Sequence, residues 1–180
     1  MSIVAIQGVR GSYSEEATFK LFGATAEILE CEKFADAFQT LLENRAEYAV
    51  IPFKNKIVGR IETPHELLKR TNLKILDELP LEVRHVLVGT FDAEFENLKS
   101  VRSHVEALKQ CRKFLLKHQR LQQVIGADTA SSIKQIVAEN DSHNAAVGSR
   151  RAAEIYGAKI LRENVADDAE NWTTFYLLQK

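Results

Sequence analysis

The sequence contains little that would tie it to a metal centre, a disulfide framework or a membrane. It has two cysteines, three prolines and one tryptophan among 180 residues. Cys31 and Cys111 do not form the close spacing of a metal site, and we expect both to be reduced, buried thiols. No apolar run approaches the roughly 20 residues of a membrane span. We therefore expect no metal site and no membrane association.

An excess of charge of one sign is also missing. The chain has 24 lysines and arginines against 25 aspartates and glutamates, and its formal net charge is −1. Nucleic-acid-binding proteins usually show a basic excess, so we expect no nucleic-acid partner. The first residues, Met1 to Val4, lack the charged and apolar regions of a secretory signal. These features predict a cytoplasmic protein.

Strand-like and helix-like segments alternate along the chain, which is typical of α/β proteins. Apolar runs predict strands at residues 4–6, 48–52, 73–76, 83–89, 101–103, 123–126, 145–147, 159–162 and 174–178. Helical spacing predicts helices at residues 12–22, 35–44, 64–69, 105–117, 129–139 and 149–156. No Pro/Gly-rich linker divides the chain, so the pattern alone suggests a lobe boundary near residues 77–81.

Small or polar residues that can cap helices follow several of the predicted strands. They are Gly11-Ser12, Ser103, Thr129 (with Asp128 as the alternative cap of the same helix) and Ser149. Ser12 and Ser103 are each followed three residues later by a glutamate, the capping-box pattern. Helix N-termini carry unpaired N–H groups and partial positive charge, so several around one cleft would suit a small anion. Ordinary capping without any ligand is the alternative, because serine and threonine cap helices in most proteins.

The five histidines form no metal-ligand pattern. His85 lies in an apolar strand, and we interpret it as a hydrogen-bonded core residue rather than a catalyst. The segment from Gly8 to Gly11 is too short for a nucleotide-binding fingerprint. The residue types alone therefore indicate an α/β protein that binds a small anion.

Four segments, in this order, resemble the prephenate dehydratase family. They are Gly8–Ser14, Ile51–Gly59, Ser103–Cys111 and Asn171–Phe175. The family carries there a glycine turn before a Ser-Tyr-Ser helix start, then Pro-x-Glu-Asn-Ser-x-x-Gly, Ser-His-x-x-Ala-Leu-x-Gln-Cys and Asn-x-Thr-Arg-Phe. The resemblance covers essentially the whole chain, and the order and spacing of the segments are more specific than any one of them.

This resemblance implies a two-lobed α/β architecture similar to type II periplasmic binding proteins, with an interlobe active-site cleft. The first lobe would comprise residues 1–77 plus 163–180, and the second residues 78–162. Family enzymes are homodimers or homotetramers and use no metal or organic cofactor. Many carry a C-terminal ACT domain that binds phenylalanine, and we expect this chain to be a catalytic domain without it.

The activity implied is that of a carbon–oxygen lyase, prephenate dehydratase. It converts prephenate to phenylpyruvate in phenylalanine biosynthesis, with loss of water and carbon dioxide. Thr173 matches the family threonine that donates a proton to the leaving hydroxyl. Gln110 and Asn55 match residues that orient the substrate through neutral hydrogen bonds. We predict these three as catalytic; without the motif, Thr173 would be an ordinary strand threonine.

The resemblance and the helix starts predict further substrate-binding residues. They are Gly11, Ser12, Tyr13, Ser103, Lys54, Lys56 and Thr129. The turn at Gly11-Ser12 and the Ser103 hydroxyl would bind a carboxylate through N–H and O–H donors.

Three positions depart from the family pattern. Lys54 replaces a glutamate, Lys56 replaces a serine and Thr174 replaces an arginine. One hypothesis is that Lys54 or Lys56 binds a substrate carboxylate. Another is that both lysines are solvated and have little effect.

The departures also leave other functions open. The chain could be a non-aromatising prephenate decarboxylase of a secondary-metabolite pathway, or a catalytically silent protein that binds small anions. The joint retention of Thr173, Gln110 and Asn55 favours the dehydratase. The sequence does not distinguish prephenate from arogenate, its aminated analogue.

Overall fold

The computed structural model describes residues 2–180. Met1, with which the predicted first lobe begins, lies outside this range. The strands are β1 (Ile3–Gln7), β2 (Glu27–Cys31), β3 (Tyr48–Asn55), β4 (Gly59–Arg60), β5 (Lys74–Glu82), β6 (Val86–Gly89), β7 (Ser100–Ser103), β8 (Gln122–Ile125), β9 (Asn144–Gly148), β10 (Lys159–Arg162) and β11 (Trp172–Gln179). The helices are α1 (Tyr13–Phe22), α2 (Phe34–Leu42), α3 (Glu62–Lys69), α4 (Val105–Gln110), α5 (Arg112–Lys117), α6 (Thr129–Glu139) and α7 (Arg150–Tyr156), and a short 3-10 helix spans Phe95–Asn97.

The chain forms two compact units. The first comprises the residues up to Val83 together with Asn171–Lys180, and the second is Arg84–Glu170. The α/β class predicted from the alternating pattern is confirmed. The sequence placed the boundaries earlier, after residues 77 and 162. They fall later because β5 continues to Glu82 and pairs with β11 along its whole length.

The first unit is built on one mixed sheet. Its strand order is β2-β1-β3-β11-β5, and β4 pairs with β3 beside this path. β1 is parallel to β2 and β3, whereas β11 runs antiparallel to β3 and β5. The carboxyl ends of β1, β3 and β5 therefore lie at one edge of this sheet, together with the start of β11.

Alternating side chains of the first sheet pack in two apolar clusters, one on each face. Val4, Ile6 and Val50 pack with residues of α1, including Ala17. Ala5 and its neighbours on the other strands pack with α2 and α3 in the second cluster. Because a strand directs successive side chains to opposite faces, the continuous apolar runs of β1 and β3 indicate a sheet that is covered on both sides.

The second unit has a five-stranded sheet of order β10-β6-β9-β7-β8. β7 is parallel to β8 and β9, and β6 is antiparallel to β9 and β10. One apolar cluster joins this sheet to α4 and α5 and contains Cys111. Burial raises the pKa of the Cys111 thiol to about 12. Both cysteines are free and buried, as predicted.

The predicted helix over residues 105–117 is interrupted at Cys111, and Asp167 explains the interruption. The Asp167 N–H donates to the Gln110 carbonyl at 2.7 Å, and the Asp167 carboxylate accepts from the Lys113 N–H at 2.8 Å. Asp167 thus binds one carbonyl and one N–H that would otherwise form hydrogen bonds within the helix. Insertion of an outside group into the helical hydrogen bonds is a recognised cause of a helix break. β2 and β4 are additional strands that the sequence patterns did not predict.

Along residues 2–180, no helix combines the length and the apolar character that crossing a membrane requires.

Candidate active site

Thr173 and Asn55 face each other across β11 and β3, at the carboxyl edge of the first sheet. The two residues are direct cross-strand partners. Both are buried, with exposed fractions of 7% for Thr173 and 6% for Asn55. The Asn55 Nδ2 donates to the Thr173 Oγ1 at 2.9 Å. The two motif residues, far apart in sequence, are therefore hydrogen-bonded.

A β-bulge in β3 makes this pairing possible. Thr174 pairs with Lys54 whereas Phe175 pairs with Pro52, so Phe53 is one extra residue on β3. Strict alternation would put Asn55 on the same face as Phe53; the extra residue turns it to the Thr173 face. The Phe53 carbonyl is occupied by the Ile61 N–H at 3.0 Å and by a His65 ring nitrogen at 3.2 Å. The carbonyl of the bulge residue is therefore hydrogen-bonded by the residue that precedes α3 and by α3 itself.

The Asn55 amide is saturated by the protein itself. Its Oδ1 accepts from the N–H groups of Ile57 and Val58, both at 2.9 Å. Its Nδ2 donates to the Asn171 Oδ1 at 2.8 Å as well as to Thr173, and lies 3.3 Å from the Trp172 carbonyl. The backbone donors fix which end of the amide is oxygen. Asn55 therefore holds the Thr173 hydroxyl, and its role in orienting the substrate remains a prediction.

This arrangement determines what the Thr173 hydroxyl can do. An amide NH₂ group can only donate, so the Thr173 Oγ1 accepts from Asn55. A hydroxyl also carries one hydrogen of its own, which is then directed to another acceptor. Thr173 is thus arranged as a hydrogen-bond donor.

Lys54 and Thr174 are neighbours on the opposite side of the sheet. They are cross-strand partners, and Arg60 of β4 pairs with Lys54 from the other side. Lys54 is exposed, and adjacent strand residues point to opposite faces, so its side chain is directed away from Asn55 and Thr173. Two of the three departures from the family pattern are therefore adjacent on this other face. Lys56, the third, is exposed in the turn after β3, where its N–H donates to the Trp172 carbonyl at 2.8 Å.

The turn before α1 uses most of the donors that were predicted to bind a carboxylate. The Gly11 N–H donates to the carboxylate of Glu15, which is fully buried, at 2.7 Å. The Ser12 N–H donates to the Val9 carbonyl at 3.1 Å, and the Ser12 hydroxyl accepts from the Glu15 N–H at 3.3 Å. Ser12 is the N-cap of α1, as predicted, and Tyr13 is the half-buried first residue of that helix. The Ser12 hydroxyl hydrogen is one donor that this turn can offer.

In the second unit, His85 holds Gln110. The His85 Nε2 lies 2.9 Å from the Gln110 Oε1. His85 has 2% of its surface exposed, and burial lowers its pKa, an effect that the hydrogen bond to Gln110 offsets only in part. A neutral imidazole with its hydrogen on Nε2 donates to the amide oxygen and directs the Gln110 NH₂ group outward from this contact.

Ser103 and Thr129 follow strands at the carboxyl edge of the second sheet. The Ser103 hydroxyl is fully buried and donates to the Val147 carbonyl at 2.6 Å. The capping box predicted at Ser103 is wrong, because His104 is the N-cap of α4 and its Nδ1 accepts from the Glu106 N–H. Asp128, rather than Thr129, caps α6 and accepts from the Ser131 N–H at 2.7 Å. Ser103 therefore has a structural hydrogen bond, and Thr129 is half-buried in the first turn of its helix.

Within the part of the chain that the structure describes, no three histidine, cysteine, aspartate or glutamate side chains are grouped to hold a metal ion.

Comparison with known proteins identifies the family of this chain. The sequence profile of the family described as prephenate dehydratase matches residues 4–180. The chain belongs to the prephenate dehydratase family. A chloroplastic family member of Arabidopsis thaliana, arogenate dehydratase/prephenate dehydratase 2, is 40% identical over 177 residues. That match covers 98% of this chain and 46% of the plant protein, so the chain spans about half the length of the curated relatives it matches.

Solved structures show the same fold. A prephenate dehydratase from Arthrobacter aurescens, crystallised with L-Phe, superimposes with a TM-score of 0.91 at 24% identity, covering 99% of this chain and 60% of that chain. GqqA, described as a novel type of quorum quenching acylase, gives a TM-score of 0.87 at 31% identity, covering 99% and 64%. A periplasmic substrate-binding protein of an ABC transporter from Coxiella burnetii also shares the fold, with a TM-score of 0.51 at 9% identity, covering 99% of this chain and 84% of that chain, which agrees with the predicted type II class.

Three residues outside the predicted site form hydrogen bonds with predicted site residues. Asn171 is fully buried and accepts a hydrogen bond from Asn55. His85 is hydrogen-bonded to Gln110, and the Glu15 carboxylate accepts from the Gly11 N–H. Asn171 was part of a recognised motif, and this was the available signal for it. His85 was interpreted as a hydrogen-bonded core residue, and the structure confirms that it is buried and hydrogen-bonded.

The buried imidazole predicts a pH-dependent stability. The pKa of folded His85 lies below its unfolded value of about 6.5, so protonation favours the unfolded chain. The stability that neutral His85 provides is complete above that pH and is lost as the pH falls from 6.5 towards the folded pKa. We expect a loss of up to about 1.4 kcal/mol per pH unit over this window. Urea unfolding measured between about pH 5 and 8 checks this.

His85→Gln keeps an N–H donor and removes the titrating group, so its pH profile should be flatter. The matched control is His143→Gln, which removes an exposed imidazole and should retain most of the slope. Burial and neighbouring cations also lower the pKa of His118, so we expect His118 to contribute to the slope that remains in His85→Gln. Equal slopes in wild type and His85→Gln would show that His85 is not the group responsible.

Proposed function

We propose that this chain catalyses the decarboxylating dehydration of prephenate or arogenate. In this reaction a ring carboxylate leaves as carbon dioxide, and its bonding electron pair enters the ring. The ring hydroxyl departs and takes up one proton to become water. The product is phenylpyruvate from prephenate, or phenylalanine from arogenate. The observation that carries the proposal is the buried Thr173 hydroxyl, which Asn55 holds as a hydrogen-bond donor.

The hydroxyl of Thr173 supplies what a poor leaving group needs. Negative charge develops on the departing oxygen, and a donor aimed at that oxygen lowers the barrier. As Thr173 gives up its hydrogen, charge develops on its own Oγ1. The Asn55 Nδ2 donates to that atom at 2.9 Å and stabilises the charge. Solvent returns the proton to Thr173 after the products leave.

Gln110 of the second unit carries a neutral donor that suits a carboxylate. We propose that the Gln110 NH₂ group, with its amide oxygen held by His85, donates to a substrate carboxylate. An amide that is already oriented loses little freedom when it binds, which favours a defined substrate orientation. The Ser12 hydroxyl in the first unit is a further donor that we assign to substrate binding. Thr129 and Tyr13 remain predictions as substrate contacts.

Prephenate and arogenate differ only in a keto group against an amino group. The plant relative's name includes both dehydratase activities. No residue described above selects between the two groups, so the proposal covers both substrates. Assignment to phenylalanine biosynthesis follows from either product. A cytoplasmic location and a homodimeric or homotetrameric state remain predictions.

Product identification tests the proposal. Purified protein is incubated separately with prephenate and arogenate, and the products are identified by chromatography and mass spectrometry. We expect an aromatic product together with carbon dioxide. Carbon dioxide with a dihydro product that keeps its hydroxyl would replace the dehydratase with a non-aromatising decarboxylase. Binding of both compounds without turnover would indicate a silent anion-binding protein.

Removal of the Thr173 hydroxyl should reduce turnover much more than affinity. Thr173→Val keeps the shape of the side chain and loses its donor. We expect kcat to fall about 100- to 10,000-fold, the usual contribution of a positioned proton donor, with KM little changed. Thr173→Ser should retain most of the activity. The matched control is Thr174→Val on the opposite face, which should leave kcat unchanged; equal kcat for Thr173→Val and wild type would exclude the donor role.

Lys54→Glu tests whether the exposed lysine takes part. Because its side chain is directed away from Thr173, we expect kcat/KM to change less than about twofold, as for an ordinary surface substitution. A large rise would mean that Lys54 impairs the site, and a large fall would mean that it binds substrate. Lys69→Glu, a charge reversal at the end of α3, is the control for a general effect of charge.

A further inference from the structure

Asn171 lies at the point where the chain re-enters the first unit. It is the residue before β11 and is fully buried. Its backbone carbonyl accepts from the Val83 N–H at 2.7 Å. Its side-chain Oδ1 accepts from the Asn55 Nδ2 at 2.8 Å. The side chain therefore contacts the amide that holds Thr173.

The hydrogen-bond count around Asn55 shows why this contact matters. The Asn55 Nδ2 carries two hydrogens and has three acceptors within reach. Two are short, to Asn171 at 2.8 Å and to Thr173 at 2.9 Å, and the third, the Trp172 carbonyl, lies at 3.3 Å. With Asn171 taking one hydrogen, the other is directed at the Thr173 Oγ1.

Without the Asn171 acceptor, the Asn55 amide would rotate towards its remaining acceptor, the Trp172 carbonyl. A buried N–H left without a partner costs more than a poorly directed one, so this rotation is favoured. The second hydrogen of the amide would then point less directly at the Thr173 Oγ1, and the contact that sets the direction of the Thr173 hydrogen would weaken.

We propose that Asn171 is a positioning residue for the reaction, acting on Thr173 through Asn55. It does not touch the substrate. This inference rests on the proposed function, because its consequence is the orientation of the proton donor in that reaction.

A double-mutant cycle tests the inference. Asn171→Leu keeps the number and branching of the side-chain heavy atoms and has no acceptor, and we expect kcat to fall about 10- to 100-fold with KM nearly constant, as for a misplaced catalytic group. In the Thr173→Val background the same substitution should cost almost nothing more, since residues that act as a unit are not additive. Asn171→Asp keeps the acceptor and should recover much of the lost kcat.

The outcomes separate the inference from the function on which it rests. The positioning role would be overturned if the falls in kcat of the two single variants added in the double variant. It would also be overturned if KM rose by as large a factor as kcat fell. Either result would leave the proposed function intact, because wild-type turnover would stand. No aromatic product from wild type with either substrate would remove both. Asn72→Leu, an exposed asparagine of the same unit, is the matched control and should leave kcat unchanged. If Asn171→Leu does not give the wild-type circular dichroism spectrum, Asn171→Ala and Asn171→Asp supply the comparison.

Discussion

The first unit's site depends on one planar amide. Asn55 joins three pieces of backbone, namely the turn after β3, the residue that precedes β11, and β11 itself. Each of these contacts requires a particular end of the amide. An aspartate could accept from the turn but has no N–H to give to Thr173, and a leucine could do neither. The chemistry of the threonine is thus specified by a residue that is itself completely occupied by the protein.

Both units use neutral groups to hold their motif side chains. In the first, an asparagine orients a hydroxyl; in the second, a histidine that burial keeps uncharged orients a glutamine. Buried neutral dipoles avoid the large desolvation cost of buried ions when each has its partner. They are also oriented before charge develops on a substrate, so little reorganisation accompanies that step.

Periodicity and helix starts predicted most of the elements, because these depend on neighbouring residues. The break at Cys111 could not be predicted in this way, since its cause is Asp167, far along the chain. The sequence motifs likewise predicted Asn55 and Thr173 as site residues, but they did not show which group donates and which accepts in their hydrogen bonds. The exposed position of Lys54 could not be seen either. A pattern of residue types does not show which face of a sheet each one occupies.

The bulge at Phe53 has a consequence for how such a site can evolve. In a regular strand, Asn55 would share a face with Phe53 and would point away from Thr173. The bulge removes this coupling, so Phe53 packs in the apolar cluster on one face while Asn55, two residues later, faces Thr173 on the other. Loss of Phe53 would leave Asn55 opposite Thr173, because Asn55 would then lie two residues after Pro52, but it would remove a buried aromatic ring and the carbonyl that accepts from Ile61 and His65. Loss of the bulge with every residue retained would instead turn the amide to the opposite face, so the local backbone geometry carries functional information that residue identity alone does not.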